Sequence, residues 1–356
     1  MSRTKIDFGI DLGTTNSTIA VDGAVVKSPK FMKDTTPSCV AINKKKKITV
    51  GDVADSKLKE ERFKQAHDSG HVGDDTFSEF KRMMGTDHEY ESVHLGKGLT
   101  PEKLSAEVLK CLKGYVLDET VAAAVITIPA MFDQSQIDAT RRAAELAGFA
   151  ADACVLLQEP IAASTAFGLS GGDMEGRWIV FDFGGGTFDA ALMEVEDGIP
   201  QVVDTAGDNL LGGRNIDDAI VDEILLPRFE EGLEDTDDDY SFAKILKDKE
   251  RRAHLRDALK NYAEVIKIAL SPKGKDSYDD GDWEARLVDD EGKKLDGEFA
   301  VSLAEFEEAV CPVFQKAIDI TRELLERNKL KDSDLERVLL IGGPTKSQTC
   351  RRMLDE

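Results

Sequence analysis

Two stretches decide the fold: Phe8–Val21, FGIDLGTTNSTIAV, and Val180–Val195, VFDFGGGTFDAALMEV. Each runs apolar strand, aspartate, apolar residue, glycine-rich turn with threonine, then a second strand. Turn glycines let backbone N–H groups approach an anion closely, and threonine hydroxyls add further donors. Repetition after about half the chain reads as an internal duplication of a phosphate-holding hairpin. Together the hairpins would hold the phosphates of one nucleotide. Asp11 and Asp182, one per hairpin, would face each other and repel unless a cation lay between them, which implies Mg²⁺. Octahedral Mg²⁺ retains waters, so these contacts are expected to be indirect.

Around the hairpins, short β-rich runs alternate with helical patterns, which predicts a mixed α/β architecture. Ile6–Asp11, a hairpin within Ala41–Val50, Val121–Pro129, Trp178–Asp182 and Arg337–Ile341 read as strands. Thr100-Pro101 opens a helix, and Asp133 with Gln136 makes a capping box before another that Gly148 ends. Asp248–Leu270 reads as a long amphipathic helix. Ser302 with Glu305 caps a further one, which Pro312 is expected to kink or break.

The 356 residues carry 46 Lys+Arg against 69 Asp+Glu, a net charge of −23. That field disfavours nucleic acid as a partner, and Lys44 to Lys47 read as a solvated hairpin tip. Five cysteines without a C-x-x-C pair imply neither a disulfide framework nor a zinc site. With no signal peptide or membrane span indicated, the expectation is a cytoplasmic protein. The acid-rich segments Glu230–Asp239 and Asp276–Asp296 lack calcium-loop spacing and read as solvated loops.

GIDLGTTNS (9–17), FKRMMG (80–85), ITIPAMF (126–132), LQEPIAASTAFGL (157–169), FDFGGGTFD (181–189), GDNLLGG (207–213) and VLLIGGPTK (338–346) occur in the order and spacing of the ATPase domain of the seventy-kilodalton heat-shock chaperones, the DnaK type. The resemblance covers essentially the whole chain. It implies an actin-like ATPase fold with duplicated, RNase H-like cores. Lobe I would be residues 1–172, with a small subdomain at about 37–98. Lobe II would be 173–356, with a small subdomain at about 212–295, and ATP would lie in the central cleft. The family continues beyond such a chain into the end of the lobe and a peptide-binding domain. Client peptide is therefore expected only for the full-length protein.

Carried over by residue, the resemblance gives Asp11, Asp182 and Asp189 to Mg²⁺ and K⁺. Gly13, Thr14, Thr15 and Asn16, with Gly184, Gly185, Gly186 and Thr187, would cradle the β- and γ-phosphates of ATP or ADP. Lys81 matches the catalytic lysine, while Glu159, with Asp182 and Asp189, would orient the attacking water beside Thr187. Glu264, Lys267 and Ser271 would contact ribose and adenine, where Gly212, Gly213, Gly342, Gly343 and Lys346 line the approach. J-domain and nucleotide-exchange partners are implied as well. The chain departs from the family at Ile137, Arg214, Asn215, Pro344 and Lys346, where Lys346 lacks the planar stacking face of the usual arginine. Slow ATP hydrolysis is the expected activity. A nucleotide-binding pseudo-ATPase and an actin-superfamily small-molecule kinase are the alternatives.

Overall fold

β1 (Phe8–Asp11) turns back as β2 (Asn16–Val21), in antiparallel register from Phe8 opposite Val21 to Asp11 opposite Thr18. The computed structural model describes residues 8–68, 70–117, 120–150, 152–172, 175–228, 247–279 and 300–356. The acid-rich segment 230–239 and most of 276–296 lie outside the described residues.

By compactness the chain divides into two units. The first takes Met1–Ser56, Asp74–Leu210 and Asp319–Gly342, and the second Lys57–Gly73, Leu211–Ile318 and Gly343–Glu356. In the first unit β1 and β2 continue into β3 (Ala24–Val25), with β4 (Thr36–Pro37) also pairing β2. Beside them, β5 (Cys39–Ile42), β6 (Ile48–Val50) and β7 (Asp75–Ser78) form a small antiparallel sheet in the order β6-β5-β7. Asn43 Oδ1 closes the β5–β6 turn by accepting from the Lys45 and Lys47 amides, leaving Lys44 to Lys47 exposed. α1 (Asp52–His67) follows, its residues from Lys57 onward belonging to the second unit, and β8 (Tyr90–Ser92) pairs β9 (Lys97–Leu99) in the first.

α2 (Pro101–Lys113) begins behind the Thr100 cap, β10 (Ala124–Ile128) follows, and α3 (Gln134–Leu146) opens with the Asp133/Gln136 capping box. Gly148, at φ 86, closes α3 beyond Ala147. Buried leucines and valines of α2 and the alanines Ala139, Ala143 and Ala144 of α3 share one core with Ile10, Ile19 and Ile126 of the sheet. At about 25 cal/mol per Å² of apolar area, this burial is the main favourable contribution to the unit.

β11 (Cys154–Gln158) runs into α4 (Glu159–Leu169), whose Pro160 sits in the first turn, where a missing N–H costs nothing. β12 (Gly176–Phe183), β13 (Phe188–Glu196) and β14 (Ile199–Asp208) then form an antiparallel meander. The duplication is legible in the pairing. The first sheet is ordered β11-β10-β1-β2-β3, and the second β14-β13-β12 plus β17 (Arg337–Ile341), which joins β12 in parallel as β10 joins β1. A core of Trp178, Val180, Ala191, Met193 and Val195 supports the second sheet, with Ile161 and Phe167 of α4 packed on it.

The second unit contains α5 (Gly213–Ile220), α6 (Lys249–Leu270), the strand pair β15 (Ser277–Tyr278) and β16 (Val301–Ser302), α7 up to Ile318, and α8 (Gln348–Asp355). α7 spans Leu303–Arg327 without a break, so of the kink or break expected at Pro312 the break does not occur. Val310, Val313 and Phe314 are buried around the proline, and that anchorage offsets the hydrogen bond the ring removes. Among the described residues, no helix is long and apolar enough to cross a membrane.

Candidate nucleotide-phosphate site

The two glycine hairpins touch, both within the first unit. A methyl group at Gly185 would fall 1.9 Å from Thr15 Oγ1, and one at Gly186 would fall 3.0 Å from Thr14 Cγ2. The second turn is closed by the Gly184 amide donating to the Thr187 carbonyl at 2.9 Å. Phe183 opposite Phe188 and Asp182 opposite Asp189 set its register. Gly342, at φ 91, ends β17 against the Phe183 carbonyl, where a side chain has no space.

The first turn is clasped from behind by serines. Ser17 Oγ accepts from the Gly13 amide at 3.2 Å, Ser38 Oγ donates to the Gly13 carbonyl at 2.7 Å, and the two hydroxyls are 2.8 Å apart. The Gly13 amide is thus engaged within the protein. On the first hairpin, any donation to a phosphate falls to Thr14, Thr15 and Asn16.

Lys81 lies in a 3₁₀ turn, Phe80–Met83, and is 6% exposed although it is a lysine. Such burial requires a partner. Its Nζ donates to Glu159 Oε1 at 2.9 Å and lies 5.6 Å from the Phe132 ring centre. Desolvation pulls the ammonium toward neutrality, but Glu159, Asp11 and Asp189 outweigh it and hold its pKa above the usual value. Glu159 opens α4, where the N-terminal partial charge favours a carboxylate. Burial nevertheless raises its pKa, with Lys81 opposing that rise. Burial, then repulsion from Glu159, Asp189 and Asp11, raises Asp182 well above the carboxylate range. Asp189 is pushed up to about 7 by burial and then by Glu159. Thr127 Oγ1, at the end of β10, donates to Asp11 Oδ1 at 2.8 Å.

Four carboxylates thus surround one ammonium, and the buried Asp189 Oδ1 has no hydrogen-bond partner among the described residues. Excess negative charge and an orphaned oxygen fit a divalent cation. No group of three or more His, Cys, Asp or Glu among the described residues is arranged to hold a metal directly. Mg²⁺ keeps several of its own waters when bound, and carboxylates of this kind can hold it through them.

The residues assigned to the adenosine lie mainly in the second unit. On α6, Lys267 Nζ donates to Asp217 Oδ2 at 2.8 Å and to the Gly213 carbonyl at 3.2 Å, and Glu264 pairs with Lys59 at 2.7 Å. Ser271 Oγ donates back to the Lys267 carbonyl at 2.7 Å. Asn215 Oδ1 accepts from the Gly212 amide at 2.8 Å. Gly343 and Lys346 are exposed at a short 3₁₀ turn, Pro344–Lys346. Ile137 is half-buried in the first turn of α3, where its amide donates to the Asp133 carbonyl. Sequence reasoning did not single out Ser17, Ser38, Arg82, Thr127 or Asp217. Ser17, Arg82 and Thr127 sit inside quoted motifs, GIDLGTTNS, FKRMMG and ITIPAMF, and that adjacency was the available signal.

Two comparisons with known proteins bear on the family of the chain. Residues 7–356 match the family described as Hsp70 protein. "Chaperone protein DnaK" of Mycoplasmoides gallisepticum (strain R(low / passage 15 / clone 2)) is 31% identical over 360 residues, covering 98% of this chain and 55% of the relative. The chain therefore spans about half the length of that curated relative. A match over nearly every residue, joined to the paired hairpins and their carboxylate cluster, places the chain in the Hsp70 family.

Proposed function

We propose that this chain binds ATP and hydrolyses it slowly, as the nucleotide-binding domain of a DnaK-type chaperone. The observation that carries the reading is the buried Lys81–Glu159 pair among Asp11, Asp182 and Asp189, in the unit where the glycine hairpins meet. An ammonium held among carboxylates is poised to exchange one of them for a phosphate oxygen. Backbone amides and hydroxyls of Thr14, Thr15 and Gly184 to Thr187 supply the donors that phosphates require. Mg²⁺, held through water by Asp11, Asp182 and Asp189, would supply charge neutralisation of the phosphates, and K⁺ would occupy the same carboxylate neighbourhood.

In this mechanism Lys81 draws negative charge on the γ-phosphate, and Glu159 accepts a hydrogen bond from the attacking water. Asp182 and Asp189 hold that water in line, with the Thr187 hydroxyl beside it. Catalysis is then positioning and electrostatic stabilisation rather than covalent chemistry. Glu264, Lys267 and Ser271 would recognise ribose and adenine, with Gly212, Gly213, Gly342, Gly343 and Lys346 beside them. The division into lobes at 1–172 and 173–356, the J-domain and exchange-factor partners, client peptide in a longer protein and a cytoplasmic location belong to the same proposal.

The test is single-turnover hydrolysis with Mg²⁺ and K⁺ by the wild type and by Lys81→Ala and Glu159→Ala, each checked for an intact circular dichroism spectrum. Loss of at least a hundredfold in both variants is expected, on the order of one preorganised charge-stabilising group. Unchanged turnover in both would sink the role assignment.

A further inference from the structure

Arg82 follows Lys81 in the same 3₁₀ turn and is largely buried, with both edges of its guanidinium engaged. Nε donates to the Gly186 carbonyl at 2.9 Å, and a terminal nitrogen, Nη2, donates to the same oxygen. The other, Nη1, donates to Glu79 Oε2 at 3.1 Å. Glu79 itself has left-handed backbone at φ 59, and its carbonyl accepts from the Arg82 amide at 3.0 Å. A bidentate fork on one carbonyl, braced by a carboxylate, fixes direction as well as distance.

That carbonyl belongs to the Gly186–Thr187 peptide. The peptide is planar and trans, so its N–H points opposite to its C=O. Arg82 therefore pins the Thr187 amide facing away from itself, while Thr14 packs close to Gly186. A glycine-rich turn without such a clamp is free to rotate this peptide.

We infer that Arg82 is a positioning residue, which orients the Thr187 amide as a phosphate donor and ties the second hairpin to the turn carrying Lys81. The inference rests on the nucleotide reading above. It makes the lysine turn and the glycine turn one rigid piece. Arg82 itself touches no phosphate in this account, because its fork is spent on the carbonyl and on Glu79.

The experiment compares wild type, Arg82→Ala, Arg82→Lys and Gly186→Ala in Mg-ATP turnover, with ATP and AMP affinities from calorimetry. Arg82→Ala should lower kcat/KM for ATP by about tenfold to a hundredfold, as expected for losing the alignment of one oriented donor. Its AMP affinity should stay within about twofold of wild type, because the amide serves the terminal phosphates. Arg82→Lys should restore part of the loss, since an ammonium reaches one carbonyl but cannot fork. Combining Arg82→Ala with Gly186→Ala should cost less than the two losses multiplied, because both break the same contact. Turnover in Arg82→Ala within twofold of wild type would overturn the inference, as would an equal fall in ATP and AMP affinity. A wild type that neither binds nor hydrolyses ATP would overturn the nucleotide reading itself, a result obtained without any variant.

Discussion

Replacing Lys81 with methionine keeps the length of the side chain and removes its charge. At 2.9 Å from Glu159 Oε1, the lost attraction is about 6 kcal/mol for an effective dielectric of 20. Most of that is offset in the wild type by desolvation of the buried ammonium, the largest influence on its pKa. Loss of one partner from a buried pair leaves the other uncompensated, and a net destabilisation of about 3 kcal/mol is expected near pH 8. The pH dependence has a definite sign. Glu159, Asp182 and Asp189 already have raised folded-state pKa values, so at these three groups the folded state binds more protons than the unfolded one. Without Lys81 these values rise further, and stability increases as pH falls from 8 toward 6. Urea midpoints of metal- and nucleotide-free protein, measured at pH 6, 7 and 8 for wild type and Lys81→Met, provide the assay. A variant as stable as wild type at pH 8, or one whose deficit does not shrink on acidification, would refute the reasoning.

Gly185→Ala has no space beside Thr15 and should force the hairpins apart. It should cost about 1–3 kcal/mol in urea denaturation and weaken ATP binding in calorimetry. Burial holds the Asp217 carboxyl at about 6, with Lys267 opposing the rise, so the wild type should lose about 1 kcal/mol of stability from this group between pH 5 and 7.5. Asp217→Asn should flatten that slope, and an unchanged slope would remove Asp217 as its source. Asp133→Ala deletes the acceptor of the α3 capping box and should lower stability by about 1 kcal/mol without altering ATP affinity.

Much of the fold was legible because local rules and global pairing agree. The duplicated hairpins, the Thr100 and Asp133 caps, the lysine-tipped turn and the closing strand before Gly342 are all found where turn chemistry and periodicity place them. The break allowed for at Pro312 does not occur, because tertiary burial anchors the helix on both sides of the proline. α1 escaped notice because its sixteen residues, DVADSKLKEERFKQAH, lack a clean apolar stripe. β14 did too, its alternation being diluted by Pro200, Gln201 and Asp204. In the candidate site, Asp11, Asp182 and the hairpin glycines announced themselves through spacing, and Lys81, Glu159 and Asp189 through family resemblance alone. Arg82, Thr127 and the Ser17–Ser38 clasp are set by contacts between segments distant in sequence, from 21 residues apart for the serines to 116 for Thr127 and Asp11. No local pattern encodes such contacts.

The most direct measurement is a single-turnover experiment with the wild-type chain in slight excess over labelled ATP, in Mg²⁺ and K⁺. ATP should be bound by the chain and converted slowly to ADP and phosphate, with both dependent on Mg²⁺. ATP left unbound, or bound and never cleaved under those conditions, would contradict the proposed function.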